Sequence, residues 1–148
     1  MINVTTRSKY GGENGTELVK WYRGKIQKLE EGTEEALTNM AIKGAELMRH
    51  YIASRGTEKG GRDPSNPGRI DTSDMHDDVT HRVIKGASGK VQAHFGWLDR
   101  RKYYYGLQEG GFNHPFGGPV EGMYAMTDAA NEVFQELRTE MGNVVKRA

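Results

Sequence analysis

The chain has 148 residues, of which 35% are hydrophobic and 20 are glycine, and it contains no cysteine. Its 21 basic and 20 acidic residues leave a formal charge of +1, which calls for neither a nucleic acid nor a membrane surface as partner. Without cysteine there are no disulfides and no thiolate metal sites. No apolar run approaches membrane-spanning length, and the opening MINVTTRSKY does not read as a secretory leader. The expectation is one domain, residues 1–148, made in a cytoplasm, with a lean core and partner subunits to cover part of it.

Residues 1–13 are polar and end on Gly11-Gly12, which reads as a flexible N-terminal arm. Residues 16–31 predict a helix with Leu18, Trp21 or Tyr22, Ile26 and Leu29 near one stripe, and Gly32 is expected to break it. Thr33 then caps a second helix, with Glu34 and Glu35 in its first turn. Leu37, Met40, Ala41, Gly44, Met48, Tyr51 and Ile52 recur at three- and four-residue steps to about Ser54. Gly44 and Ala45 leave room for another element to approach closely. The methionines Met40, Met48, Met126 and Met141 read as core filler.

Gly56 ends that helix, and the run RGTEKGGRDPSNPGR carries no periodic apolar residue. Residues 56–68 are expected to be a mobile or assembly loop, with Lys59, Arg62 and Arg69 as its candidate contact cations. Residues 70–75 read as a turn into a short helical piece capped by Asp71 or Thr72. Val79–Lys85 and Lys90–Leu98, separated by the turn Gly86–Gly89, predict a hairpin spanning 79–98. Val91, Ala93, Phe95 and Trp97 share one of its faces, and so short a sheet must pack on a helix. The last helix is expected from Gly122 to about Met141, with Met126, Ala129, Ala130, Val133, Leu137 and Met141 as its stripe. Gly142 is expected to fray its end and leave Val144 and Val145 loosely held. The fold class is therefore α+β, with two or three helices on a small antiparallel sheet and a long central loop.

Most of the aromatic residues lie between Phe95 and Tyr124. Three consecutive tyrosines, Tyr103, Tyr104 and Tyr105, lead into Gln108-Glu109-Gly110-Gly111 and then a Phe/Pro/Gly loop. Such a run cannot hide on one face of a helix or strand, and tyrosine tolerates a half-wet position. We read the stretch as the joint between the hairpin and the last helix, with one tyrosine in the core and others at a contact surface. Tyr103, Tyr104, Tyr105, Gln108, Glu109, Phe112 and Phe116 are its candidate interface residues. A plainer role for Glu109 is a hydrogen bond to a helix end.

Catalytic signals are sparse. His76-Asp77-Asp78 with His81 supplies residue types of a metal-dependent phosphohydrolase, but further ligands are not evident, and Asp77 and Asp78 read equally as solvated turn acids. No serine sits in a Gly-x-Ser-x-Gly elbow, and the Gly-rich pieces at 59–61 and 117–118 lack the Lys-Ser/Thr of a phosphate loop. No metal, cofactor or catalytic residue is expected.

The order of features carries more than any one motif. A helix with small residues leads to a Pro/Gly loop, then Gly68–Met75, a hairpin, Tyr103–Gly111, and a final helix opening on Met123-Tyr124-Ala125-Met126. Over roughly residues 36–140 this resembles the tailed-bacteriophage neck and tail-completion family of head–tail morphogenesis proteins. Thr72, Met75, Tyr104 or Tyr105, Glu109 and Gly111 stand at positions comparable to that family's pattern, while Ser73 replaces its usual glycine. The resemblance implies a structural virion protein rather than an enzyme, one that forms a hexameric ring of its own copies. The implied partners are neighbouring neck, tail-terminator or tail-tube proteins, with DNA only as channel contents and no membrane. The rival readings are a small metal-dependent hydrolase using His76, Asp77 and His81, and a phage-encoded module that binds host proteins.

Overall fold

The structure, a computed structural model, describes residues 15–55, 74–87, 89–99, 103–115 and 117–148. The expected flexible arm at 1–13, the loop at 56–68, the cap at Asp71 or Thr72, and the candidates Lys59, Arg62, Arg69 and Phe116 lie outside those residues. In chain order the elements are α1 (Thr16–Arg55), α2 (Asp74–Asp77), β1 (Thr80–Lys85), β2 (Val91–Gly96), α3 (Tyr103–Gly110), β3 (Phe112–His114), β4 (Gly118–Val120) and α4 (Ala125–Arg147). The fold is α+β: helices with two antiparallel two-stranded sheets, β1–β2 and β3–β4.

The first correction concerns Gly32. It does not break the helix, and Thr33 is not a cap: α1 runs unbroken for 40 residues. Lys28, Leu29, Glu30 and Glu31 precede Gly32, and Glu34, Glu35, Ala36 and Leu37 follow it, and one glycine among such helix formers costs only about 1 kcal/mol. Packing offsets that cost. A Cβ at position 32 would come within 2.8 Å of Val144 Cγ1, so the missing side chain is the notch into which α4 fits. The same contact corrects the expectation for the last helix. It does not fray at Gly142 but continues to Arg147, and Val144 is buried. Val145 beside it is indeed exposed.

α4 lies antiparallel on α1. Arg55 at the end of α1 meets Asp128 near the start of α4 (2.6 Å), and Lys43 meets Glu136 farther along. Between them the Tyr51 hydroxyl donates to Glu132 (2.7 Å). These groups are half exposed, so they set register more than they add stability. Buried small residues, Ala36, Ala41 and Ala45 on α1 and Ala125 and Ala129 on α4, let these elements pack closely.

The hairpin forms where expected, with Thr80 opposite Gly96, Val83 opposite Ala93 and Lys85 opposite Val91. Its turn closes through Gly86 N–H to Lys90 O (2.8 Å). Val91, Ala93 and Phe95 alternate inward, as period two requires. Phe95 lies flat against Gly44: a Cβ there would stand 2.6 Å from its ring. That is the close approach expected from the small residues of α1. Hairpin and helix are further tied by Lys85 to Glu34 (2.7 Å). The core proper gathers Ala45, Met48, Ile52, Met75, Val79, Tyr105, Met123, Ala125 and Ala129. It therefore sits over the C-terminal half of α1. The N-terminal part, before α4 and the hairpin reach it, carries exposed Val19, Tyr22 and Ile26.

Candidate functional site

The tyrosine stretch is a helix, α3, and it is the joint the sequence promised. Its rings do not all face outward. Tyr105 is fully buried (0% exposed), which corrects its standing as an interface candidate. It stacks at a tilt on Trp97 (centroids 5.0 Å) and edge-on against Tyr104 (4.8 Å). Its hydroxyl donates to Asp78 Oδ2 at 2.6 Å. Burial first, and the Asp78 bond second, push its ionisation well above that of an ordinary phenol. Trp97 Nε1–H donates to Met75 O (2.8 Å), and Arg49 donates to Val79 O (2.6 Å). α1, α2, the hairpin and α3 thus converge on one aromatic cluster.

Glu109 takes the plainer of its two readings. It is buried, and its Oε1 accepts from Thr127 N–H (2.9 Å) and from the Thr127 hydroxyl (3.2 Å). Those groups belong to the first turn of α4, whose N-cap residue, Tyr124, supplies no side-chain cap and sits in the left-handed region at φ 51°. A carboxylate from another element therefore does the capping, and its charge suits the positive end of the helix. The backbone repeats the tie: Met123 N–H donates to Gln108 O (2.8 Å) and Tyr124 N–H to Glu109 O (3.0 Å). Gly111 (φ 81°) makes this possible, since a Cβ there would strike Val120 O at 2.6 Å. The Phe/Pro/Gly segment, expected as a loop, closes as the short hairpin β3–β4, with Phe112 opposite Val120.

Of the remaining interface candidates, Tyr104, Gln108 and Phe112 are half-buried around this joint. Tyr103 opens α3, and its side chain lies outside the described set. For the metal-binding trio, His76 Nδ1 lies 2.8 Å from Asp77 Oδ1, while His81 stands exposed on β1 opposite Phe95. Among the described residues no group of three or more histidines, cysteines or carboxylates is placed to hold a metal. No helix there is long and apolar enough to cross a membrane.

Two features escaped the sequence reading. The stripe assigned to the last helix mixes two stripes. Ala125, Ala129, Val133 and Val144 face the core, whereas Met126, Ala130, Phe134 and Val145 are exposed. Phe134 is 62% exposed and Val145 65%. The signal was present as a separate series at steps of three and four, 126-130-134-137-141-145. Beside it, a cleft of about 220 Å³ opens between α1, β2 and α4, with an almost wholly apolar lining. A second cleft, of about 340 Å³, lies where the end of α4 crosses α1 and mixes Lys28, Glu31, Glu35, Glu140 and Arg147.

No family model, no curated protein and no solved structure matches the chain.

Proposed function

We propose that this chain is a structural subunit of the neck or tail-completion region of a tailed bacteriophage, one of a ring of copies that helps join tail to head. The observation that carries the reading is the use to which the family-like residues are put. Tyr105, Glu109, Gly111 and Met123–Met126 build one joint that orients α4, and their polar atoms serve architecture: phenol to Asp78, carboxylate to a helix end. Large apolar side chains are meanwhile left outside on α1 and α4. A chain so poor in apolar residues leaves such groups exposed where something is to cover them. The partners in this reading are other copies, the neighbouring neck, tail-terminator or tail-tube proteins, and DNA passing through the channel. Tyr104, Gln108 and Phe112, half-buried at the rim of the joint, are the candidates for the contact with a neighbouring virion protein.

The test is a particle. Deleting the reading frame from the phage or prophage that encodes it should leave filled heads and free tails in the lysate. Supplying the chain in trans should restore joined particles, and mass spectrometry should find it in purified virions. Joined particles from the deletion strain, or virions lacking the chain, would overturn the reading.

A further inference from the structure

α1 has two ends with different surroundings. The last residues of α4, Arg147 and Ala148, line a cleft with Lys28 and Glu31, and the hairpin turn comes beside Glu30. Residues 16–27 therefore form an arm of about 18 Å at 1.5 Å per residue. Val19, Tyr22 and Ile26, then half-buried Leu29 just beyond it, follow one another at steps of three, four and three. That is the anchor spacing of a helix that lies in a groove. Tyr22 is 55% and Ile26 54% exposed.

The same chain also holds an apolar groove. Leu37 and Met40 of α1 form its floor, Ala93 and Phe95 of β2 one wall, and Phe134 and Leu137 of α4 the other. The exposed stripe of α4 extends that wall from Met126 to Val145, about 28 Å at the same rise. The floor continues the arm's own stripe by way of Thr33, on the same unbroken helix. A rigid helix cannot fold back onto itself, so the arm cannot fill the groove of its own copy.

We propose that the arm of one copy lies in the groove between α4 and β2 of a second copy, with Tyr22 and Ile26 seated against Phe134 and Leu137. Lengths agree, since the arm's 18 Å fits within the wall's 28 Å. Half the surface of a helix about 11 Å across and 18 Å long, widened by a water radius, is about 400 Å². The contact therefore buries about 800 Å² in total, the low end of the range, where contacts are weak and transient. One such contact is weak alone and concentration-dependent. It is also heterologous, because each copy offers its arm to one neighbour and its groove to another, so contacts repeat and rings or filaments follow. As the joint of a ring it rests on the assembly reading above.

The experiment is sedimentation velocity on the full chain from micromolar to millimolar concentration, with two variants. Tyr22→Glu/Ile26→Glu disables the arm, and Phe134→Glu disables the groove. All three positions are exposed in the monomer, so circular dichroism should report an unchanged fold. The parent chain should form oligomers in proportion to concentration, and each variant alone should self-associate about thirtyfold more weakly or worse. An equimolar mixture of the two variants should give dimers and nothing larger, because only one arm and one groove remain intact. A parent chain that is monomeric throughout overturns the proposal and leaves the groove to a different protein. So does a mixture that stays monomeric, and so does a Phe134→Glu chain that associates as the parent does, the mark of an arm-to-arm contact. Neither result touches the neck assignment, which stands or falls on the particles of the deletion strain.

Discussion

The two halves of α1 are one helix in backbone and two regions in everything else. From Gly32 to Arg55 the helix is covered by α4, the hairpin and the aromatic cluster around Tyr105. From Thr16 to Glu31 the large apolar residues Val19, Tyr22 and Ile26 are exposed. The boundary falls in the turn before Gly32, where Val144 packs on the glycine and Arg147 lies beside Lys28. A glycine that reads as a helix terminator thus ends the packing and leaves the backbone intact. Helix continuity is decided by local propensity over several turns, whereas burial is decided by what another element can reach.

Truncation should expose this asymmetry most strongly. Tyr105→Ala removes a fully buried ring and should cost about 3–5 kcal/mol of unfolding free energy. Tyr22→Ala should change the stability of the monomer by no more than about 0.5 kcal/mol. Urea denaturation of both variants at low concentration checks the pair, and a costly Tyr22→Ala would mean that the arm is held by its own chain.

Glycine substitutions should differ in sign. At Gly32 an added methyl meets Val144 at 2.8 Å, and overpacking of this kind costs about 1–3 kcal/mol, less the helix-propensity gain of about 1 kcal/mol. At Gly24 nothing stands within 4 Å, so Gly24→Ala should slow amide exchange along the arm by up to about fivefold, the equivalent of about 1 kcal/mol, with no shift in the global midpoint. Equal behaviour of the two alanines would erase the boundary at Gly32.

Alkali should act on the covered region. Because the folded-state pKa of Tyr105 is raised, its contribution is fully present below the unfolded tyrosine pKa of about 10 and falls above it, by about 1.4 kcal/mol per pH unit for that one proton. Tyr51, raised by its bond to Glu132 and more weakly by burial, acts in the same direction. Tyr105→Phe should flatten the decline between pH 10 and 11, as read from urea midpoints. An unchanged slope would place the effect on other groups.

A modest effect belongs to the joint. Glu109→Ala should cost about 1 kcal/mol, the usual loss on removing a helix cap. Glu109→Gln, which keeps an acceptor for Thr127, should recover part of it. If the two variants denature alike, the carboxylate's charge rather than its hydrogen bond is what α4 needs.

How much of this was legible follows the same division. The hairpin, its turn and its inward face were readable because period two is a strong signal and Gly86–Gly89 brackets it. The room at Gly44 was readable from side-chain size. The assignment of one tyrosine to the core held, but its identity rested on Asp78 and Trp97, which only the fold brings near. The cap at Thr127 was invisible for the same reason, since its acid lies 18 residues away in the chain. The covered and exposed stripes of α4 were merged because both obey helical spacing, and only the position of α1 tells them apart.

The unbroken helix has one further consequence, in mechanics. Since neither Gly24 nor Gly32 interrupts α1, the arm is a lever fixed to the floor of the core. Pivoting it by about 5° at Gly32 displaces its tip by only about 2 Å over the roughly 24 Å from Gly32 to Thr16. In a closed assembly the turn from copy to copy is about 60° for six members and about 51° for seven. A change of roughly 9° in the attitude of one helix is therefore enough to add a member. In the ring proposed above, the number of copies would in that sense be an angle, set by how Val144 seats in the notch at Gly32.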